Sequence, residues 1–193
     1  TTLLNALAGF IQPTNGKILL KGNKIEGPGP DRAVVFQDDA VFPWLSVEDN
    51  IAYSHKIKST YGDKEKELVK NYINLVGLED FKKAWPRQLS GGMRKRVDLA
   101  RAFSAEPELL LMDEPFGALD EIVRDYLNEQ LLKLWHSTKK TICFVTHSIP
   151  EAVYLSTKIV VMSPRPGRII DIIESDLPDK RPLEIRDTKE FID

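Results

Sequence analysis

Asp113 and Glu114 stand side by side at the end of the apolar run LLLMD (109–113) and are followed by PFGALD (115–120). Four apolar residues in succession predict a strand deep in a sheet, and open α/β sheets bind their ligands at the carboxyl ends of such strands. Two carboxylates emerging there can divide labour. Asp113 can hold a magnesium ion, directly or through water, while Glu114 can orient and polarise the water that attacks a phosphoryl group. An Asp-Glu pair alone is more often a solvated strand end, but the buried strand before it and PFGALD after it favour chemistry.

QLSGGMRKR (88–96) is the second signal. Ser90, Gly91 and Gly92 precede a helix whose first turn offers free backbone amides, and glycines let an anion approach that backbone. Arg94, Lys95 and Arg96 add positive charge or form a solvated helix face; Lys95 and Asp98 are expected on the exposed side. Gln37 ends the apolar run AVVFQ and His147 follows TICFVT. With parallel strands, both lie at the same sheet edge as Asp113, where they can reach a metal, a water or a γ-phosphate. His55 and His136 have no such placement, and no role is assigned to them.

The opening TTLLNALAGF raises a related point. Leu3, Leu7, Phe10 and Ile11 recur on one helical face, yet no capping turn precedes them. A P-loop, G-x-x-x-x-G-K-[ST], ends on a hydroxyl that reaches magnesium as its helix begins. Thr1 fits that last position, followed by Thr2. The expectation is that the strand, glycines and lysine of the loop have been cut away, so that the chain as it stands binds ATP weakly and does not turn it over.

These groups need elements to hold them. KILLKGNKI reads as a short strand, a turn and a second strand. Ser46 with Asp49 marks one helix start; Leu68, Tyr72, Leu75 and Val76 mark the face of a second helix that stops at Gly77, and a third follows Ser90. From residue 109, strands LLLMD, TICFVT and KIVVMS alternate with helices over 120–137 and 149–156. Apolar strands alternating with helices imply an α/β fold, a mainly parallel sheet covered on both faces, with a helical insertion in the middle. SPRPG turns the chain into RIIDIIES, and the Pro- and charge-rich remainder reads as a peripheral tail.

Composition narrows the classes. With 27 Lys+Arg against 29 Asp+Glu, there is no general pull towards nucleic acid or anionic lipid. The one cysteine, Cys143, excludes a disulfide framework and favours a reduced setting. LLLM and IVVM are far short of a membrane span, so work at a membrane would go through a partner.

Taken in order, Thr1-Thr2, Gln37, LSGGM, LLLMDEP, ALD and Thr146-His147 resemble the ATP-binding subunit of ABC transporters over nearly the whole chain. The resemblance implies a P-loop NTPase core over 1–45 and 105–170, a helical signature-motif subdomain over 46–104 and a tail over 171–193. It implies ATP and Mg2+, with Thr1 as the last Walker A residue, Gln37 as the Q-loop glutamine and Asp113 as the Walker B aspartate. Glu114 would be the catalytic base, Asp120 the D-loop aspartate and His147 the switch histidine. Ser90, Gly91 and Gly92 resemble the signature motif, which grips ATP held by the opposite subunit, so a homodimer with two composite sites is implied. FQDDAVFPWLSVEDNIAY, LSGGMRKR and MSPRPGRI are similar to importers for nitrate, sulfonates and taurine, in which Met often stands at the position of Met93. The implied partners are a transmembrane permease, docking around Phe42, Pro43 and Trp44, and indirectly a solute-binding protein. The implied location is peripheral, on the cytoplasmic face of the membrane.

Two other functions compete. A soluble ABC-type ATPase acting on DNA or the ribosome would carry a long coiled coil or two ATPase units, and the sequence has neither heptads nor a repeat. A truncated, non-hydrolysing partner subunit is the other.

Overall fold

The first helix stops sooner than its apolar pattern implies. In the computed structural model, which describes residues 1–192, α1 spans Thr2–Ala8. Gly9 ends it with φ of 83°, and the Gly9 and Phe10 amides donate back to Ala6 O and Asn5 O. A left-handed residue that returns two amides to the last carbonyls is a helix stop. Phe10 and Ile11 are therefore outside the helix and exposed, and the buried residues of α1 are Leu4 and Ala8 rather than Leu3, which is 53% exposed.

The chain next forms a small hairpin, β1 (Leu19–Leu20) and β2 (Asn23–Lys24), around Lys21 and Gly22, both at positive φ. β3 (Arg32–Val35) is shorter than AVVFQ implies, leaving Phe36 and Gln37 beyond its end. Then come α2 (Val47–Ile51), α3 (Tyr53–Ile57) and α4 (Asp63–Leu75). Ser46 caps α2 by accepting from Asp49 N, as its spacing predicts. The buried stripe near α4 is Val69, Tyr72, Ile73 and Val76, one step round from the predicted face, and Leu75 is exposed. Gly77 comes next with φ of 63°. α5 (Gly91–Ser104) packs on α2, α4 and β3. β4 (Leu109–Asp113), α6 (Glu121–Thr138) and β5 (Thr141–Val145) complete a first compact unit, Thr1–Val145.

Within that unit β3, β4 and β5 form a parallel sheet in the order β3-β4-β5. Val35 pairs with Met112, and Asp113 with Val145. Side chains alternate across a strand, so β4 presents Leu109 and Leu111 to one side, where they pack with Leu4 and Ala8 of α1. Leu110 and Met112, equally buried, face the other side. Cys143 packs against the α1 cluster, and burial pushes its thiol pKa up, as befits a strand residue with no reactive role.

In the helical segment, buried Asn50 ties down the loop before α2: its amide donates to Phe42 O, Leu45 O and Ser46 O and accepts from Phe42 N. His55 is also structural, sharing a hydrogen bond with Ser104 Oγ at 3.2 Å inside the core.

The second unit begins at Thr146. It holds α7 (Ile149–Leu155) and an antiparallel pair, β6 (Lys158–Met162) and β7 (Ile169–Glu174). β6 thus departs from the expected parallel arrangement. The SPRPG turn reverses the chain at once, and only an antiparallel neighbour can come after so short a connection. The tail expected from residue 171 is also corrected. Residues 171–174 belong to β7, and buried Arg181 donates to the Val153, Tyr154 and Ser156 carbonyls while its own carbonyl accepts from Tyr154 Oη at 2.7 Å. A short terminal helix, α8, covers Lys189–Ile192.

Two left-handed glycines separate conformation from crowding. A Cβ at Gly9 would lie 2.3 Å from Gly27 O, whereas one at Gly16, also left-handed, meets open space. Gly16→Ala is expected to cost about 1 kcal/mol and Gly9→Ala about 2 kcal/mol or more, compared by urea denaturation. Equal costs would show that the loop at Gly27 yields without resistance.

Candidate active site

Because β3 and β4 run in parallel register, the residues after them leave the sheet at the same edge. Gln37 lies two residues beyond β3, while Asp113 ends β4 and Glu114 is next in the chain. The Glu114 and Gln37 side chains both reach Gly117. A Cβ added there would be 3.4 Å from Glu114 Oε2 and 3.6 Å from Gln37 Nε2, so the carboxylate and the amide share one small space that the glycine leaves open. Glu114 is held in the left-handed region at φ of 45°, costing about 1–2 kcal/mol for a side-chain-bearing residue. Glu114 N donates to Val145 O at 2.9 Å and Gly117 N to Glu114 O at 3.1 Å, which locks the turn. Strain held in this way aims a side chain where relaxed backbone would not.

Asp113 is turned inward. Its Oδ1 is buried and accepts no hydrogen bond, and the backbone nitrogen of Thr1 lies 3.7 Å away. A buried carboxylate oxygen that accepts no hydrogen bond needs positive charge nearby, which the Thr1 nitrogen supplies at 3.7 Å, and the atom therefore fits a cation ligand. Thr1 is the N-cap of α1, and its carbonyl accepts from Asn5 N at 2.8 Å. Thr2 is the first residue of that helix and is exposed. Thr1, Gln37, Asp113 and Glu114 thus gather at the carboxyl edge of the sheet.

The remaining candidates of the first unit form a second group at two helix starts. Ser90 caps α5 by accepting from Met93 N at 3.3 Å, and Asp120 caps α6 by accepting from Val123 N at 3.0 Å. The two starts touch: a Cβ at Gly92 would be 3.2 Å from Val123 Cγ1. At Gly91 the nearest atom is Arg94 Nη2 at 3.8 Å. The paired glycines therefore differ, Gly92 allowing the helices to approach and Gly91 leaving the backbone open to a ligand. His147 belongs to the second unit, exposed in the loop before α7. Around it Thr146 Oγ1 donates to Glu151 Oε2 at 2.5 Å, and Ser148 N donates to Thr146 Oγ1 at 3.0 Å.

Lys95 and Asp98 overturn the expected exposed face, being 2% and 1% exposed. Lys95 Nζ donates to Phe36 O at 2.6 Å and Gln37 O at 3.0 Å, and Asp98 accepts from Arg101 at 2.6 Å. Burial pushes the Lys95 ammonium pKa down, countered by Asp98. It pushes the Asp98 carboxyl up, countered by Arg101 and Lys95. Charge on a helix is normally read as solvated, and only the i, i+3, i+6 recurrence of Lys95, Asp98 and Arg101 could have marked a buried stripe. Gly117 carries no sequence signal beyond its place in PFGALD.

The family model described as ABC transporter matches residues 1–117. The chain belongs to the ABC transporter family. An ABC transporter ATP-binding protein of Methanocaldococcus jannaschii is 48% identical over 193 residues, covering 100% of this chain and 71% of that protein. The taurine import ATP-binding protein TauB of Rhizobium johnstonii is 48% identical over 176 residues, covering 91% and 67%. A solved structure of CbiO1 from Clostridium perfringens, part of the ABC transporter complex CbiONQ, has a TM-score of 0.78 at 26% identity, covering 89% of this chain and 70% of that one. The α/β core is the ABC ATPase fold. This ABC protein is an ATP-binding subunit, a transport-coupled ATPase. Among the described residues no helix is long and apolar enough to cross a membrane.

Made in a subunit that carries a complete P-loop, Gly117→Val tests the shared space in the ABC ATPase. Filling it is expected to part Gln37 from Glu114 and lower ATP turnover on the order of 100-fold. The position is exposed, so the melting temperature should move by no more than about 2 °C. Unchanged turnover would show that the contact around Gly117 has no catalytic consequence.

Proposed function

We propose that this protein powers an importer for a small solute of the nitrate, sulfonate or taurine kind by hydrolysing ATP at the carboxyl edge of β3 and β4. The observation that carries the proposal is the approach of both Glu114 and Gln37 to Gly117, at the sheet edge where β4 ends on the buried carboxylate of Asp113. Two relatives support the solute class: TauB of Rhizobium johnstonii and TauB of Escherichia coli O157:H7, the latter 47% identical over 171 residues, are named taurine import ATP-binding proteins.

In this reading Thr1, Gln37 and Asp113 would hold Mg2+. The ion supplies charge neutralisation for the phosphates when bound. Glu114 accepts the proton of the attacking water as general base, aimed by its strained backbone. Gln37 shares that space, where its amide can orient the water. For His147 the proposed role is that of the switch histidine. Ser90, Gly91 and the first amides of α5 receive ATP held by a second subunit, the 14-residue helix adding its positive end. Asp120 stands at the start of the neighbouring helix α6.

Residues 46–104 serve as the helical signature segment of an ATPase core formed by 1–45 and 105–170. The partners are a second copy of the subunit, a transmembrane permease and, through it, a solute-binding protein, which puts the subunit at the cytoplasmic face of the membrane. Trp44, 65% exposed beside Phe42, offers an aromatic contact for the permease.

In a subunit that carries a complete P-loop, Glu114→Gln keeps the shape and removes the base. Nucleotide affinity should stay within about threefold and turnover should fall about 100-fold or more; retained turnover removes Glu114 from this role. Uptake of labelled taurine, an alkanesulfonate and nitrate by proteoliposomes carrying the subunit with its permease tests the cargo. ATP-dependent accumulation of one of them is expected, and accumulation of none sinks the assignment.

A further inference from the structure

Three cations on one side of α5 grip the short segment that carries Gln37. Arg94 Nε meets Asp39 Oδ2 at 2.7 Å, and Arg101 Nη1 donates to Ala40 O at 2.6 Å while its guanidinium lies 4.8 Å from the Phe42 ring. Between them Lys95 Nζ donates to Phe36 O at 2.6 Å, Gln37 O at 3.0 Å and Asp38 O, more loosely, at 3.5 Å.

The Lys95 contact differs in kind from its neighbours. An ammonium has three donors, and here three successive carbonyls face it. An ammonium taken so far out of water is tolerated only where dipoles and counter-charge replace the lost hydration. The carbonyls supply the dipoles, and Asp98, held by Arg101 at 2.6 Å, supplies the counter-charge. Binding the carbonyls of Phe36 and Gln37 fixes the peptide planes on either side of the Gln37 Cα. With both planes fixed, the direction in which the side chain leaves the backbone is fixed as well. That side chain ends beside Glu114 at Gly117. The same lysine lies one turn into a continuous helix that begins at Gly91, so the grip also joins the Gln37 segment to the Ser90 helix start.

We propose that Lys95 is a positioning residue for ATP hydrolysis: by holding the carbonyls that flank Gln37 it aims the glutamine amide at Glu114, and it makes the Gln37 segment and the start of α5 move as one body. The proposal rests on the assignment of Gln37 and Glu114 to the hydrolytic site. It asks of Lys95 no contact with nucleotide.

The test uses the subunit with a complete P-loop, assembled with its permease. Lys95→Met keeps the length of the side chain and removes every donor; Lys95→Gln keeps a neutral donor. Lys95→Met should lower kcat on the order of 10-fold and leave KM for ATP within about threefold, because a misaimed side chain affects the reacting complex more than binding. Lys95→Gln should recover part of that loss. Amide hydrogen exchange over residues 36–40 should quicken in Lys95→Met, reporting local opening. A lysine acting through Gln37 has nothing left to position once the glutamine is gone, so Lys95→Met combined with Gln37→Ala should be no slower than Gln37→Ala alone.

Wild-type kcat in Lys95→Met, losses that add in the double variant, or a rise in KM alone would each overturn the proposal. If Lys95→Met fails to fold, the Lys95→Gln kcat and its coupling to Gln37→Ala decide in the same way. Glu114→Gln serves as the reference. Lost turnover there with a normal Lys95→Met leaves the active site standing and removes only the lysine, whereas normal turnover in both Glu114→Gln and Gln37→Ala brings down the site and the lysine together.

Discussion

The parallel pairing of β3, β4 and β5 is the constraint on which the site depends. Parallel strands deliver their succeeding residues to one edge, and with Val35 opposite Met112 the register puts Gln37 near the end of Asp113-Glu114. A slip of one residue would turn Leu109 and Leu111 away from α1 and exchange the inward and outward faces of the whole strand. The apolar packing of Leu4 and Ala8 on those leucines therefore holds the register, and the register brings the polar groups together. Core and chemistry here are two consequences of one alignment.

The edge is also where the backbone leaves its ordinary ranges. Glu114 adopts a left-handed conformation immediately after the buried strand, and its amide still finds the Val145 carbonyl. That bond comes from the neighbouring strand, so the strain is sustained by the sheet rather than by the loop itself. Gly117 supplies the complementary feature, an absence of side chain where a carboxylate and an amide approach each other. An ATPase gains from such an arrangement because groups already aimed need not be ordered during the reaction.

Around this edge the side chains of the helical segment act on the backbone of the loops. Asn50 satisfies carbonyls of the loop before α2, Arg96 donates to Val76 O at 2.6 Å, and Lys95 and Arg101 take the carbonyls of the segment after β3. Irregular backbone cannot satisfy its own polar groups, and side chains from regular helices do so here. The loops are thereby tied to α2 and α5, and a displacement of either helix carries its loop with it.

Much of this was legible in the order of residues. The apolar run before Asp113-Glu114, the Ser-x-x-Asp start of α2 and the serine and glycines before α5 each encode local structure through spacing, and local structure obeys local rules. The family pattern is likewise a matter of order along the chain. Other features arise between segments far apart in sequence, and no spacing encodes them. Lys95 reads as a surface charge until the carbonyls of Phe36 and Gln37, 59 and 58 residues away, are placed against it. Gly92 reads only as a ligand-binding glycine until Val123 arrives beside it and adds a packing role. KIVVMS has the composition of a parallel core strand, and only its pairing with β7 makes it half of a hairpin. The sequence by itself determined which residues could do chemistry and which stretches would be strand or helix, because those depend on side-chain type and period. The tertiary structure alone decided which of them meet, because burial and pairing belong to surfaces that exist only once the chain has folded.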